Sequence, residues 1–188
     1  MNTTPLVSII ILAYNVEQYI EECLTSIINQ TYENLEVIVV INGKSKDKTE
    51  EIAQSFALQD NRVKFVYNQK NSVIGDGRIL GMEAVAGTYF TFVDGDDCLP
   101  EGSIDYLVNL IEADKADVVI GETVRFSNSN FPIILPSYAN QDIEINLIPL
   151  RKYICRDVLS IWIIYFMGNC IGLHYMKNQK FFYIQILL

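Results

Sequence analysis

The feature that most constrains this chain is a recurrence of short β-branched runs that have no polar face. Residues 6–13 read Leu-Val-Ser-Ile-Ile-Ile-Leu-Ala, and residues 35–41 read Leu-Glu-Val-Ile-Val-Val-Ile. A strand wetted on one side alternates apolar and polar residues, whereas a run apolar on both faces belongs inside a parallel sheet covered on both sides. Between these runs the apolar spacing shifts to about 3.6. Val16, Tyr19, Ile20, Cys23, Leu24, Ile27 and Ile28 predict a helix over 16–30, with Asn15 placed to cap it. After the turn Asn42-Gly43-Lys44-Ser45, a second helix opens at Asp47 or Lys48 and carries Ile52, Ala53, Phe56 and Ala57. The same reading gives strands at 63–67, 88–93 and 117–121 and helices at 74–86 and 100–113.

Strand and helix alternating in this way predict an α/β fold, an open, mostly parallel sheet sandwiched by helices, over residues 1–121. In such sheets a ligand sits outside the carboxyl ends of the strands. Tyr14-Asn15, Asn42-Gly43 and Asp94-Gly95-Asp96-Asp97 all fall there. Residues 122–188 change character and form a second region. Ser127-Asn128-Ser129-Asn130 and Pro132, Pro136 and Pro149 suggest an excursion, and residues 158–176 are strongly apolar. That run is read as a buried segment or as a membrane-facing surface. The chain closes on Phe181-Phe182-Tyr183-Ile184-Gln185-Ile186-Leu187-Leu188, an apolar end that is expected to be covered by further chain or in a homodimer.

Charge narrows the partners. With 14 basic and 23 acidic residues the net charge is −9, and no nucleic acid is expected to bind, because gripping a phosphate backbone needs a basic face. Cys23, Cys98, Cys155 and Cys170 lack metal-ligand spacing, and the only His, His174, has no second pair beside it. The N-terminus lacks the basic and apolar regions of an export signal. A cytoplasmic location with free, mostly buried thiols is the expectation.

Asp94-Gly95-Asp96-Asp97 directly follows an apolar strand. Three carboxylates in four residues repel one another unless a cation or hydrogen-bond donors neutralise them. A hard divalent ion with phosphate oxygens completing its shell suits such a cluster, and so does a plainer reading in which Asp97 caps the next helix. Gly75-Asp76-Gly77-Arg78-Ile79-Leu80-Gly81 faintly suggests a dinucleotide fingerprint, but its spacing is wrong and it does not follow the first strand.

Taken together, several segments resemble family 2 glycosyltransferases. These are Val7–Asn15, Tyr19–Ile27, Asn29-Gln30-Thr31-Tyr32, the strand 35–40 with Asn42-Gly43, Arg78-x-x-Gly81, and Gly87-Thr88-Tyr89 leading into Asp94-Gly95-Asp96-Asp97. Order and separation agree over roughly residues 5–121. The resemblance implies a GT-A fold and an inverting transfer from a nucleoside-diphosphate sugar, UDP-linked by family habit, to a saccharide or lipid-linked acceptor in surface polysaccharide biosynthesis. It implies that Ala13, Tyr14 and Asn15 line the nucleoside pocket and that Asn42 faces the base, where the family often carries Asp. Arg78 would face the diphosphate, with a surface ion pair to Asp76 or Glu83 as the alternative. Asp94 would contact the ribose or the metal, and Asp96 would ligate Mg²⁺ or Mn²⁺. Peripheral membrane contact would follow from a lipid-linked acceptor.

The catalytic residue is not identified. From 145 to 188 the only acidic residue is Asp157, and it precedes the apolar run, whereas the family's base would follow it. A chain of this kind acts either as the donor half of a transferase or as a truncated, non-catalytic nucleotide-sugar-binding remnant.

Overall fold

The computed structural model describes residues 4–68 and 74–115, together with short strands at 118–120, 124–125, 133–134 and 180–183. The elements run β1 (Val7–Ala13), α1 (Ile20–Ile28), β2 (Leu35–Asn42), α2 (Thr49–Gln59), β3 (Val63–Asn68), α3 (Ile74–Glu83), β4 (Tyr89–Asp94), α4 (Ser103–Asp114), β5 (Val118–Ile120), β6 (Val124–Arg125), β7 (Ile133–Ile134) and β8 (Lys180–Tyr183). Six strands form one sheet in the order β3-β2-β1-β4-β8-β5. Every pairing in it is parallel. β6 and β7 make a separate antiparallel pair.

The two-faced runs are explained by where their side chains go. Val7, Ile9, Ile11 and Ala13 of β1 join one core with Ile20, Cys23, Leu24 and Ile27 of α1 and with Ile104, Leu107 and Ile111 of α4. Ile10 points to the other side, into a smaller core with Ile38, Val40, Met82 and Phe90, where α3 packs. Ile9, Ile10 and Ile11 are all completely buried. Each such side chain stabilises the fold by about 1.5–3 kcal/mol through apolar burial.

The glycines of α3 belong to this packing and not to a dinucleotide turn. A Cβ at Gly81 would lie 2.4 Å from Ile10 Cγ2, and one at Gly77 would lie 2.9 Å from Asn42 Oδ1. Both glycines let the helix sit close against β1 and β2, while Gly75 meets nothing.

Helix starts depart from expectation. α1 begins at Ile20, and Asn15 does not cap it. Asn15 instead adopts the left-handed conformation with φ 54°, which Asn tolerates better than most residues. The following turn is closed by Tyr19 and Ile20 N–H groups donating to the Val16 carbonyl, both at 2.9 Å. α4 begins at Ser103 behind Gly102, whose φ of 76° suits glycine, so Asp97 does not cap it. β8 was not anticipated. Residues 180–183, read as part of an apolar tail, pair between β4 and β5. The run 158–176, together with Cys155, Asp157, Cys170 and His174, lies outside the described residues. Among the described residues no helix is long and apolar enough to cross a membrane.

Candidate functional site

The carboxyl ends of β1, β2, β3 and β4 form one rim. Ala13 is buried at the end of β1, Tyr14 beyond it is exposed, and Asn15 turns the chain. That turn is stapled to the one after β2. Asn15 Oδ1 accepts the Lys46 N–H at 2.8 Å, and the Val16 N–H donates to Thr49 Oγ1 at 2.7 Å. Glu17 Oε2 accepts the Lys48 N–H at 2.8 Å, while Asp47 accepts from the N–H groups of Glu17 at 3.1 Å and Thr49 at 3.0 Å. Desolvation works to raise the Asp47 carboxyl, but donation from Thr49 and Glu17 outweighs it and holds the group below its ordinary value. Two loops from different strands are therefore tied together.

Asn42 and Asn68 end β2 and β3 as register partners. Asn68 Nδ2 donates to Asn42 Oδ1 at 2.8 Å. Asn68 is buried and Asn42 half-buried.

Arg78 and Asp94 come together although they sit on different elements. Arg78 Nη2 lies 3.3 Å from Asp94 Oδ1, and its guanidinium stands 5.6 Å from the centroid of the Phe92 ring. The surface-pair alternative named Asp76 or Glu83; the carboxylate that Arg78 meets is Asp94. A cation beside the first acidic residue of the 94–97 cluster offsets part of the cluster's negative charge.

The acidic segment is held from behind. The Gly95 N–H donates to the Leu12 carbonyl at 2.9 Å, and a Cβ at Gly95 would lie equally close to that oxygen. Cys23 and Ser26 on one side of α1, and Gln30 just beyond its end, then track the segment. The Cys23 thiol is 3.7 Å from the Asp94 carbonyl, and the Leu99 N–H donates to Ser26 Oγ at 3.0 Å. Gln30 Nε2 donates to the Pro100 carbonyl at 2.9 Å, and its Oε1 accepts the Ile104 N–H at 3.2 Å. Burial pushes the Cys23 thiol well up, and negative charge at Cys98, Asp97, Asp96 and Asp94 adds to the shift. Cys23 and Cys98 are free thiols.

Asp94 and Asp96 are exposed and Asp97 is buried. Among the described residues no three acidic, His or Cys side chains converge into a complete metal cage. Two solvent-facing carboxylates one residue apart fit an ion that takes the rest of its shell from phosphate and water, as Mg²⁺ and Mn²⁺ do. The residues that sequence reasoning missed are Asn68, Ser26, Gln30 and the Glu17-Asp47-Thr49 staple. Their signal was faint: an Asn at a third strand end, and an Asp-x-Thr that forms an Asx turn.

The chain matches known proteins. The model for the family described as Glycosyl transferase family 2 matches residues 8–182. The chain is 35% identical over 125 residues to glycosyltransferase GlyG of Streptococcus pneumoniae serotype 4, covering 66% of this chain and 41% of that protein. It is 40% identical over 115 residues to the uncharacterized glycosyltransferase EpsJ of Bacillus subtilis, covering 61% and 33%. S. aureus TarS 1–349, solved in complex with UDP-GlcNAc, superposes with a TM-score of 0.60 at 26% identity over 70% of this chain and 37% of that one. The chain thus spans under half the length of these relatives.

Proposed function

From the premise that the chain belongs to glycosyl transferase family 2, we propose that it is the donor-binding half of an inverting transferase. It takes the sugar of a pyrimidine nucleoside diphosphate to a saccharide or lipid-linked acceptor, in the building of a surface polysaccharide. The observation that carries this reading is the pair Asp94 and Asp96, exposed at the carboxyl end of β4 with Arg78 3.3 Å from Asp94. The likeness to a structure holding UDP-GlcNAc supports a nucleotide-sugar donor.

In this reading the Tyr14-Asn15 turn and Asn42 receive the nucleoside, and Arg78 orients the diphosphate. Asp94 and Asp96 would hold Mg²⁺ or Mn²⁺, which supplies charge neutralisation for the departing diphosphate. Arg78 contributes to the same neutralisation from the protein itself. Inversion requires the acceptor hydroxyl to attack the face of the sugar opposite the leaving group, while a carboxylate takes its proton. No described residue is placed for that step, and Asp157 lies outside them. An acceptor at the bilayer would bring the protein to the cytoplasmic membrane surface.

Calorimetric titration with UDP and CDP, each with and without Mn²⁺, tests the donor site. Asp96→Ala is expected to weaken metal-dependent binding at least about tenfold, equal to 1.4 kcal/mol. The variant should unfold within about 0.5 kcal/mol of wild type, because the side chain is exposed. Folded wild type that binds neither nucleotide would sink the reading.

A further inference from the structure

The turn that leaves β1 holds a left-handed residue that is not glycine. Asn15, with φ 54°, is one of two such residues among those described, and the other, Lys115, closes a helix. A side chain in that region persists when its surroundings hold it there. The loop after β2 and the first residue of α2 do so. Asn15 Oδ1 takes the Lys46 N–H at 2.8 Å, and the next N–H along the chain, that of Val16, donates to Thr49 Oγ1 at 2.7 Å. Thr49 is completely buried although its side chain is polar. Its hydroxyl donates to the Asp47 carboxylate, which also accepts the Glu17 N–H at 3.1 Å. An ionised carboxylate only accepts, so the hydroxyl proton of Thr49 is directed to Asp47 and a lone pair is left for Val16.

We propose that Thr49 is a positioning residue for the donor site: its hydroxyl, oriented by Asp47, fixes the Tyr14-Asn15 turn in its receiving conformation before the nucleotide arrives. The inference rests on the donor-site reading above and adds to it a residue that touches no ligand. Thr49 is sealed from solvent, so it acts through Val16 and the turn. A pocket formed in advance binds without first ordering its own backbone. Where the competent conformation is populated only about a tenth of the time, apparent affinity falls about tenfold. Thr49 also opens α2, where a threonine would ordinarily be explained by packing or by local capping. Its bond to Val16, thirty-three residues away, is neither.

The two chemical parts of the Thr49 side chain can be removed separately. Thr49→Val keeps the shape and deletes the hydroxyl, whereas Thr49→Ser keeps the hydroxyl and deletes the methyl. The test is calorimetry with UDP and Mn²⁺, joined to amide hydrogen exchange over residues 14–18, on wild type, both variants and Asp47→Ala. Thr49→Val should weaken UDP about tenfold and speed exchange over 14–18, while the β1 amides stay protected. Thr49→Ser should bind within about twofold of wild type. Asp47→Ala leaves the hydroxyl in place without its acceptor, should weaken UDP about threefold, and carries the test if Thr49→Val does not fold. A packing role predicts the reverse order, with Thr49→Ser the weaker binder, and that order overturns the proposal. So does wild-type affinity in both Thr49→Val and Asp47→Ala, or weakened binding with exchange over 14–18 unchanged. Wild type that binds no UDP overturns the donor-site reading itself, whatever the exchange shows, and removes this role with it.

Discussion

The two ends of the sheet carry carboxylates of opposite character. At the amino ends Glu36 is buried at 4% exposure and saturated with partners. Its Oε1 accepts from the Ser8 hydroxyl at 2.5 Å and from the N–H groups of Ala86 at 2.6 Å and Gly87 at 3.1 Å, while Oε2 meets Lys64 Nζ at 2.7 Å. At the carboxyl ends Asp94 and Asp96 stand exposed, and one cation, Arg78, pairs with Asp94. Environment separates the roles. A desolvated carboxylate is tolerated only when donors surround it, which fixes it as architecture. A solvated carboxylate beside open space keeps its lone pairs available to an arriving ion or ligand.

Glu36→Ala should give the largest stability loss, about 3 kcal/mol, because the buried Ser8 hydroxyl and the Ala86 N–H would lose their acceptor and Lys64 its partner. Urea denaturation measures this, and nucleotide affinity of the folded variant should stay unchanged. The same group predicts a pH limb. Desolvation works to raise the Glu36 carboxyl, but Lys64, Ser8 and Ala86 together outweigh it and hold it below its ordinary value. A depressed folded value means the contribution is complete above the unfolded pKa of about 4.3 and fades as pH falls through the folded value. Glu36→Gln should flatten that acid limb. An unchanged urea midpoint in Glu36→Ala would break the contrast between the two ends.

Gln30 sharpens the comparison because it anchors the chain that follows the acidic motif. It sits just beyond α1 yet grips the segment that descends from the acidic motif, through Pro100 and Ile104. Gln30→Ala should cost about 2 kcal/mol, for the buried groups it leaves unpaired. It should also weaken Mn²⁺-dependent nucleotide binding several-fold, since the segment carrying Asp94 and Asp96 loses an anchor. Lost stability with unaltered binding would show that this anchor serves the fold and not the acidic rim.

How much of this was legible in the sequence depends on the range of the interaction. β1 through β4, and the presence of the four helices between and after them, follow from local periodicity, which the hydrophobic effect writes directly into the chain. The start of α1 was misjudged because Asn15 looks like a cap in one dimension. In space its side chain is taken by the Lys46 N–H, thirty-one residues away. β8 was invisible for a related reason. Four residues entering between β4 and β5 leave no local pattern that distinguishes them from an apolar tail. At the site, Asp94 and Asp96 were legible as a charge cluster. The Asn42–Asn68 bond and the Arg78–Asp94 pair were not, because each joins separate elements through side chains whose sequence spacing carries no signal.

Of Glu36, Gln30 and Arg78 the last has the smallest stability effect, and it tests whether the carboxyl end is truly a working surface. The Asp94 side chain is 52% exposed and that of Arg78 13%, so water screens the pair, and such pairs contribute about 0–1 kcal/mol. The guanidinium over Phe92 adds a cation–π contact of about 0.5–1 kcal/mol at most. Arg78→Ala should therefore lower stability by about 1 kcal/mol, a shift near the resolution of a urea titration. Binding should respond more strongly. A diphosphate in the proposed site would meet the Arg78 guanidinium, and losing it should weaken CDP and UDP alike by about tenfold. In the proposed site Arg78 would face the diphosphate and not the base, so the two nucleotides should weaken by the same factor. A stability loss of several kcal/mol with unaltered binding would make Arg78 a structural strut, and the rim around Asp94 would then resemble the Glu36 end it is here set against.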